Sequence, residues 1–376
     1  MMFTIVITAY KRANSLERLL NSLISTYEID EKINLIISLE AESSDSVITL
    51  AKQFEWELGM KEIIQHEKKM GLINHFIWAG DRCLDLGVVL FLEEDAVVSP
   101  VIFKQLEKMI PFYENDEEIA GISLYSNPSN ELTLKIFEQV EDGNDVYFFQ
   151  HPYMGNVWYP KKWKKFAEWY KTYIPNKSNV PEKIADWDQS FKRIFIQYLV
   201  ENNLFMVYPR CSLVSDSADG GLHVTNRKDT KAKLQCAYKP MKLVHIQDSL
   251  SVYDAFGEID VDVLKRVNPE LREYDFVCDI NCQKKYESNT IVLTNRRVRK
   301  SILTYDDCYK PMEVAALLNY HGNGLSLAFA RDIVESRQKY LNRCQYEDII
   351  HHYPIRKRTI IELAKDKFLK IRNLRR

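Results

Sequence analysis

No run of apolar residues in these 376 approaches the about 20 that a membrane-spanning helix needs. The 12 glycines supply no Gly-rich, Lys-bearing phosphate loop near the first strand. That counts against a nucleotidyltransferase, which would release pyrophosphate from a nucleoside triphosphate. A large charge of one sign is missing too: a formal net charge of −2 argues against nucleic-acid binding by bulk electrostatics. The seven cysteines are odd in number and lack framework spacing, which suits reduced thiols in a cytosolic compartment. Cys278 and Cys282, with Cys308 and Cys344 further on, have spacing poorly suited to zinc and no accompanying His pair. They read instead as small buried hydrophobes. The chain begins without a basic leader and runs straight into a strand, so neither a signal peptide nor an anchor is expected. No internal repeat or low-complexity linker interrupts it.

What is present is an ordinary globular balance of 46% apolar and 28% charged residues, enough for two or three domains with a substantial core. The informative segment is Val88-Val89-Leu90-Phe91-Leu92, which stops abruptly at Glu93-Glu94-Asp95. Five apolar residues in a row predict a strand buried on both faces, the habit of a parallel sheet. Carboxylates at the carboxyl end of such a strand sit where open α/β sheets bind ligands, and their hard oxygens suit Mg²⁺ or Mn²⁺. A solvated strand-to-loop turn is the plain alternative.

Phe3 to Ile7 form a charge-free strand, followed by a polar turn from Thr8 to Ala13. Asn14 and Glu17 suggest a capping box, and Leu16, Leu19, Leu20, Leu23 and Ile24 recur at helical spacing. Leu35 to Leu39 form a second strand ending at Glu40. A helix over Val47 to Phe54, a strand at Ile63-Ile64, a helix after Gly71 and one just after Pro100 complete the alternation. Strands alternating with helices predict an α/β, mostly parallel, doubly wound sheet with right-handed crossovers. Thr8, Tyr10, Arg12, Glu40 and the acidic cluster then converge on one edge.

From about Gly121 to His245 the chain is aromatic-rich, with Tyr153, Trp158, Trp163, Trp169 and Trp187. Such faces suit sugar rings, and equally suit a second layer of core. Beyond about Leu250 the pattern weakens to helices at Met312 to Leu318 and Leu325 to Tyr340, a mainly helical C-terminal region. From Arg356 to Arg376 nine Lys or Arg face two acids, with Ile360, Ala364, Phe368, Ile371 and Leu374 on one helical face. This basic amphipathic helix fits peripheral contact with an anionic membrane, or a terminal helix docked on the body. The expected partition is residues 1–125 for nucleotide binding, 126–250 for acceptor binding and catalysis, and 251–376 as an acceptor lobe, dimer interface or membrane platform.

In order, Ile5 to Arg12, Ser38-Leu39-Glu40, His66 with Lys69 and His75, Glu93-Glu94-Asp95, His151 to Gly155 with Trp158, Asp186-Trp187-Asp188, and Tyr208 to His223 make seven blocks. Together they resemble a GT-A-fold glycosyltransferase, and more narrowly the catalytic domain of N-acetylglucosaminyltransferase I (glycosyltransferase family 13). The resemblance runs from about residue 3 to residue 250. It implies a Rossmann-like nucleotide-diphospho-sugar transferase fold and an inverting, divalent-metal-dependent transferase. That enzyme would move a hexose or N-acetylhexosamine from a nucleotide sugar, UDP-linked by preference, to a glycan, polysaccharide or lipid-linked acceptor. Without a signal anchor, the expected setting is the cytoplasm, at the inner membrane face of a bacterium.

By the same resemblance Thr8, Ala9, Tyr10, Arg12, Glu40, His75, Glu93 and Glu94 contact the donor. Asp95 and His223 hold Mn²⁺ or Mg²⁺. Asp188 acts as general base with Asp186 as the fallback, and Tyr153, Gly155, Trp158, Trp187 and Arg210 line the acceptor. Two positions depart from the family pattern: Glu94 replaces a central Asp, and only one Asp follows Trp187. A non-catalytic nucleotide- or glycan-binding module on the same fold is the rival reading.

Overall fold

The computed structural model describes residues 3–133, 135–177, 180–187, 190–217 and 232–343. Its first half alternates as the sequence predicts. Strand β1 (Thr4–Ala9) leads to helix α1 (Ala13–Ile24), β2 (Asn34–Leu39) to α2 (Asp45–Gln53), and β3 (Lys61–Gln65) to α3 (Gly71–Leu86). Strand β4 (Val89–Glu93) and the short β5 (Ala96–Val98) precede α4 (Ile102–Tyr113). β1 pairs in parallel with both β2 and β4, and β2 with β3. Ile5, Val6, Ile7, Leu35, Ile37, Leu90 and Leu92 are fully buried. Helices on both faces explain why these strands read as unbroken apolar runs.

The second half adds β6 (Ile119–Ser123), β7 (Val146–Phe149), β8 (Asn156–Trp158), helices α5 (Pro160–Tyr170), α6 (Glu182–Ala185) and α7 (Phe191–Glu201), then β9 (Phe205–Pro209), β10 (Val214–Asp216) and β11 (Val252–Tyr253). The large sheet has the order β11-β7-β9-β6-β8-β4-β1-β2-β3. β8 inserts antiparallel between β4 and β6, so the sheet is mixed beyond β4. β10 pairs with β5, bringing residues 214–216 beside 96–98.

Helix α1 buries Leu16, Leu19, Leu20 and Leu23 against the sheet, whereas Ile24 at its end is 59% exposed. Its cap is Arg12, with no side-chain capping bond, so the Asn14–Glu17 capping box does not form. Helix α3 packs on α5 through Gly80: a β-carbon there would lie 2.0 Å from the Trp163 ring.

Among its described residues, the C-terminal region is not mainly helical. After α8 (Val261–Val267) come β12 (Phe276–Cys278), β13 (Ile291–Thr294), β14 (Leu303–Tyr305), α9 (Glu313–Leu317) and β15 (Leu325–Phe329). The four strands form one sheet, β12-β13-β15-β14. Leu325 to Phe329, expected to be helical, is a strand paired antiparallel to both β13 and β14. Leu325 and Leu327 are fully buried with half-exposed Ser326 between them, and this alternation outweighs the helical spacing. The core is continuous from β1 through Leu293 and Leu327. The six described cysteines are free, and no His, Cys, Asp and Glu side chains gather into a metal cage among the described residues. Among them, too, no helix is long and apolar enough to cross a membrane. The basic segment 356–376 lies outside the described residues.

Candidate active site

Parallel register sets the site. Thr8 stands level with Ser38 on one side and Glu93 on the other, all at the carboxyl edge of the sheet. The turn after β1 folds back over this edge. Tyr10 donates its backbone N–H to Glu94 Oε2 at 2.7 Å, and Arg12 Nε reaches Glu94 Oε1 at 2.6 Å. Arg12 Nη1 binds Asp95 Oδ2, also at 2.6 Å. Burial works against the Arg12 charge, yet Asp95 and Glu94 together hold its pKa above the ordinary value. The other oxygen of Asp95, Oδ1, is buried and has no hydrogen-bond partner. An acceptor left bare in this way costs about 1–3 kcal/mol. Glu93 is half-buried; burial and then the Asp95 charge raise its pKa to about 8, with Arg12 and Lys192 opposing.

Glu40 is buried, and both its oxygens are engaged. Oε1 accepts the Ala41 and Met70 backbone N–H groups and Oε2 that of Gly71, each at 2.9 Å. Met70 and Gly71 begin α3, so this carboxylate closes a helix N-terminus, where amides lack intrahelical partners and the dipole favours an anion. Beside it, Ser38 Oγ bridges His66 Nε2 at 2.9 Å and His75 Nε2 at 2.7 Å. Burial pushes His75 down to about 4, so this imidazole is neutral near pH 7. Trp78 sets its ring edge-on to His66 at 4.9 Å.

A second polar group gathers around Glu131. Glu131 Oε2 accepts from His151 Nε2 at 3.1 Å, Tyr153 Oη at 3.1 Å and Lys192 Nζ at 3.0 Å. Burial alone would raise the Glu131 pKa; Lys192 and His151 instead hold it well below the carboxylate range. The Lys192 ammonium lies 4.0 Å from the Tyr153 ring centre and 5.9 Å from that of Trp187. Glu131 and Lys192 were not singled out from the sequence: they lie 61 residues apart and neither belongs to a block.

Other expected acceptor residues are placed elsewhere. Trp158 is buried opposite Val89, at the start of β4 and the far end of the strand from Glu93, and packs on Trp163 and Phe195. Gly155 has φ +69°, and a β-carbon there would meet Val214 Cγ2 at 2.7 Å, so close packing explains the glycine. Arg210 is bound to the 140–145 segment through the Val140 and Asn144 carbonyls and Asp142. Asp186 is a surface group, its side chain 71% exposed and paired with equally exposed Lys177 at 2.8 Å. Asp188 and His223 lie outside the described residues, although Ser217 N–H already donates to the Asp95 carbonyl at 2.8 Å.

A mostly parallel α/β sheet thus carries a basic β1 turn locked onto an acidic cluster at the carboxyl end of β4, the edge where open α/β sheets bind ligands. Residues 4–219 match the family described as Glycosyl transferase family 2. The chain belongs to that family and is a glycosyltransferase of GT-A fold. No curated protein matches it. Similar solved structures include residues 1–349 of Staphylococcus aureus TarS in complex with UDP, at 13% identity and TM-score 0.36, covering 57% of this chain and 59% of that one. The same protein in complex with UDP-GlcNAc is similar at 11% identity and TM-score 0.34, covering 71% and 65%. The mannosyltransferase PcManGT from Pyrobaculum calidifontis, in complex with GDP-Man and Mn²⁺, shows 14% identity and TM-score 0.33, covering 45% and 46%. The chain thus spans about six tenths of the length of the first TarS structures it matches.

Proposed function

We propose that this glycosyltransferase moves a hexose or N-acetylhexosamine, with inversion, from a nucleoside diphosphate sugar to a hydroxyl of a glycan, polysaccharide or lipid-linked acceptor. UDP is the preferred nucleotide, in keeping with the motif resemblance to N-acetylglucosaminyltransferase I. One observation carries the reading: Asp95 offers a buried, unpartnered carboxylate oxygen at the carboxyl end of β4, beside Arg12. That is a hard oxygen donor suited to Mn²⁺ or Mg²⁺, and one direct carboxylate is enough for a cation that keeps waters and phosphate oxygens in its shell. When bound, such an ion neutralises charge on the leaving diphosphate. His223 is the proposed second ligand.

The chain's own groups divide the remaining work. Arg12 holds Glu94 and Asp95 in register with the β1 turn, and Thr8, Ala9 and Tyr10 border the donor there. Ser38 and neutral His75 flank the nucleotide end, with Glu40 fixing the helix behind them. Tyr153 and Trp187 offer ring faces to the acceptor sugar. Asp188 takes the acceptor hydroxyl's proton; Asp186, exposed and paired with Lys177, is the weaker candidate because the Lys177 hydrogen bond and charge hold its pKa below the ordinary value. The three-part division of the chain is retained as a proposal, with cytoplasmic placement and peripheral membrane contact through the basic tail. Self-association through the last third is retained as well.

The test is a thermal-shift panel of UDP-, GDP-, CMP- and dTDP-sugars with and without Mn²⁺, repeated for Asp95→Asn. A selective shift that needs Mn²⁺ and vanishes in the variant is expected. An equal shift in Asp95→Asn, or silence across the panel, overturns the metal–donor assignment.

A further inference from the structure

We propose that the cleft between α5 and α7 binds an uncharged sugar unit of a glycan, at a site apart from the edge where transfer takes place. The proposal rests on the glycan or polysaccharide acceptor proposed above, for which this cleft is a second hold.

The cleft has a volume of about 490 Å³, within the range of about 300–1,000 Å³ usual for small-ligand sites. Trp169 at the end of α5, Tyr173 and Ile174 in the segment after it, and Gln197 and Glu201 of α7 form its walls. Those walls are held in place. Gln197, 2% exposed, accepts the Asn176 N–H through Oε1 at 2.9 Å and donates Nε2 to the Ile174 carbonyl at 2.9 Å. The same amide donates to Glu201 Oε1 at 2.8 Å, and Trp169 Nε1 donates to Glu201 Oε2 at 3.0 Å. The segment after α5 is thereby stapled to α7, and the indole is set beside the carboxylate. The Trp169 and Tyr173 rings lie 5.2 Å apart and are tilted by 48°.

This combination suits a sugar ring. Aromatic faces cover its C–H groups, and an exposed carboxylate accepts from its hydroxyls. Each Glu201 oxygen spends one lone pair on the group that holds it, which leaves one on each for a hydroxyl. Charge points to an uncharged unit. Lys177 and Glu201 cancel within the lining, and the Lys177 ammonium is already paired with Asp186 at 2.8 Å. An anionic headgroup would therefore meet the Glu201 carboxylate with the lining ammonium engaged. Position separates the cleft from the transfer edge. β9 runs parallel to β6, and β8 lies antiparallel to both β6 and β4, so β9 points the same way as β4. Glu201 ends α7 four residues before β9 begins, near the amino end of these strands, whereas Glu93 stands at the carboxyl end of β4. Lys192, whose ammonium lies 5.9 Å from the Trp187 ring centre, is about 14 Å from Glu201 along the α7 axis. Such a span calls for a glycan of several units.

The test titrates the full chain with chitohexaose, cellohexaose, maltohexaose and mannohexaose by ligand-observed NMR, as wild type, Trp169→Ala, Glu201→Ala and Trp187→Ala. At least one hexasaccharide should bind, and Trp169→Ala and Glu201→Ala should each weaken it about tenfold. Glu201 is exposed, so its truncation carries the comparison if Trp169→Ala does not fold. Both variants should keep the wild-type affinity for UDP in Mn²⁺, measured by calorimetry. Silence across the panel overturns the proposal, as does a loss confined to Trp187→Ala, which puts the glycan on the transfer edge alone. Phosphatidylglycerol vesicles that bind wild type but not Trp169→Ala, with no hexasaccharide bound, mark a membrane surface and overturn it equally. A wild-type chain that binds a hexasaccharide through Trp169 and Glu201 but neither UDP nor GDP supports this site and overturns the donor site, a result distinct from the others.

Discussion

Replacing Glu40 by Gln tests whether a buried carboxylate holds the start of α3. The wild-type group accepts three backbone amides, all at 2.9 Å. A hydrogen bond to a charged group nets about 1.5–3 kcal/mol, and such bonds at one carboxylate do not add fully. Gln keeps one acceptor oxygen, loses the charge, and turns an NH₂ toward an amide that then has no partner. A loss of about 2–4 kcal/mol follows at pH 7. The pH dependence separates this mechanism from simple misfit. Burial raises the Glu40 pKa, but the Met70, Ala41 and Gly71 amides, with His75, outweigh it and leave the group below its ordinary 4.5. Its folded pKa is therefore lower than its unfolded one. The stabilisation is complete above about pH 4.5 and is lost as pH falls through the folded value. Urea denaturation followed by tryptophan fluorescence at pH 7, 5.5 and 4 reads both quantities. The gap between wild type and Glu40→Gln should hold from pH 7 to 5.5 and narrow by pH 4. A gap below about 0.5 kcal/mol, or one that does not change with pH, refutes the reasoning.

Glu313 should behave in the opposite sense. Burial raises its pKa to about 7, so its folded value exceeds the unfolded one and stability falls as pH rises from about 4.5 to 7. Glu313→Gln should stabilise the chain at pH 8 by of order 2–3 kcal/mol and change little at pH 4.5; destabilisation at pH 8 would count against a buried, unpaired carboxylate. Gly80→Ala sets two effects against each other. Helix propensity favours Ala by about 1 kcal/mol, but the new methyl would sit 2.0 Å from the buried Trp163 ring, which Asp81 anchors at 2.9 Å. Overpacking costs about 1–3 kcal/mol, so a lower melting temperature is expected and a rise would sink the packing argument.

Much of the fold was legible because it depends on local pattern. Phe3 to Ile7, Leu35 to Leu39 and Val89 to Leu92 are apolar but for Thr4 and Ser38 and show no alternation, and only strands covered on both faces bury every side chain. Leu16, Leu19, Leu20 and Leu23 likewise mark the buried stripe of α1. The C-terminal sheet was less legible. Its strands are three to five residues long, too short for a period to separate strand from helix, and Leu325 to Phe329 became a strand by pairing with Ile291 to Thr294. Trp158 shows the same limit at the site, since an aromatic in a polar block reads alike whether it faces a sugar or, as here, the α5 and α7 side chains.

By itself the sequence determined that an acidic cluster ends a buried parallel strand and that the turn after the first strand carries a basic residue. Both follow from hydropathy and the order of charges along the chain. The tertiary structure alone decided which charges meet. It spent Glu40 on a helix terminus, bound Arg12 to Glu94 and Asp95 while leaving one Asp95 oxygen bare, and set Lys192 on Glu131. The physical reason is reach: a charge–charge contact acts over a few ångströms in space, and tertiary packing, not sequence distance, brings residue 12 to 95 and residue 192 to 131.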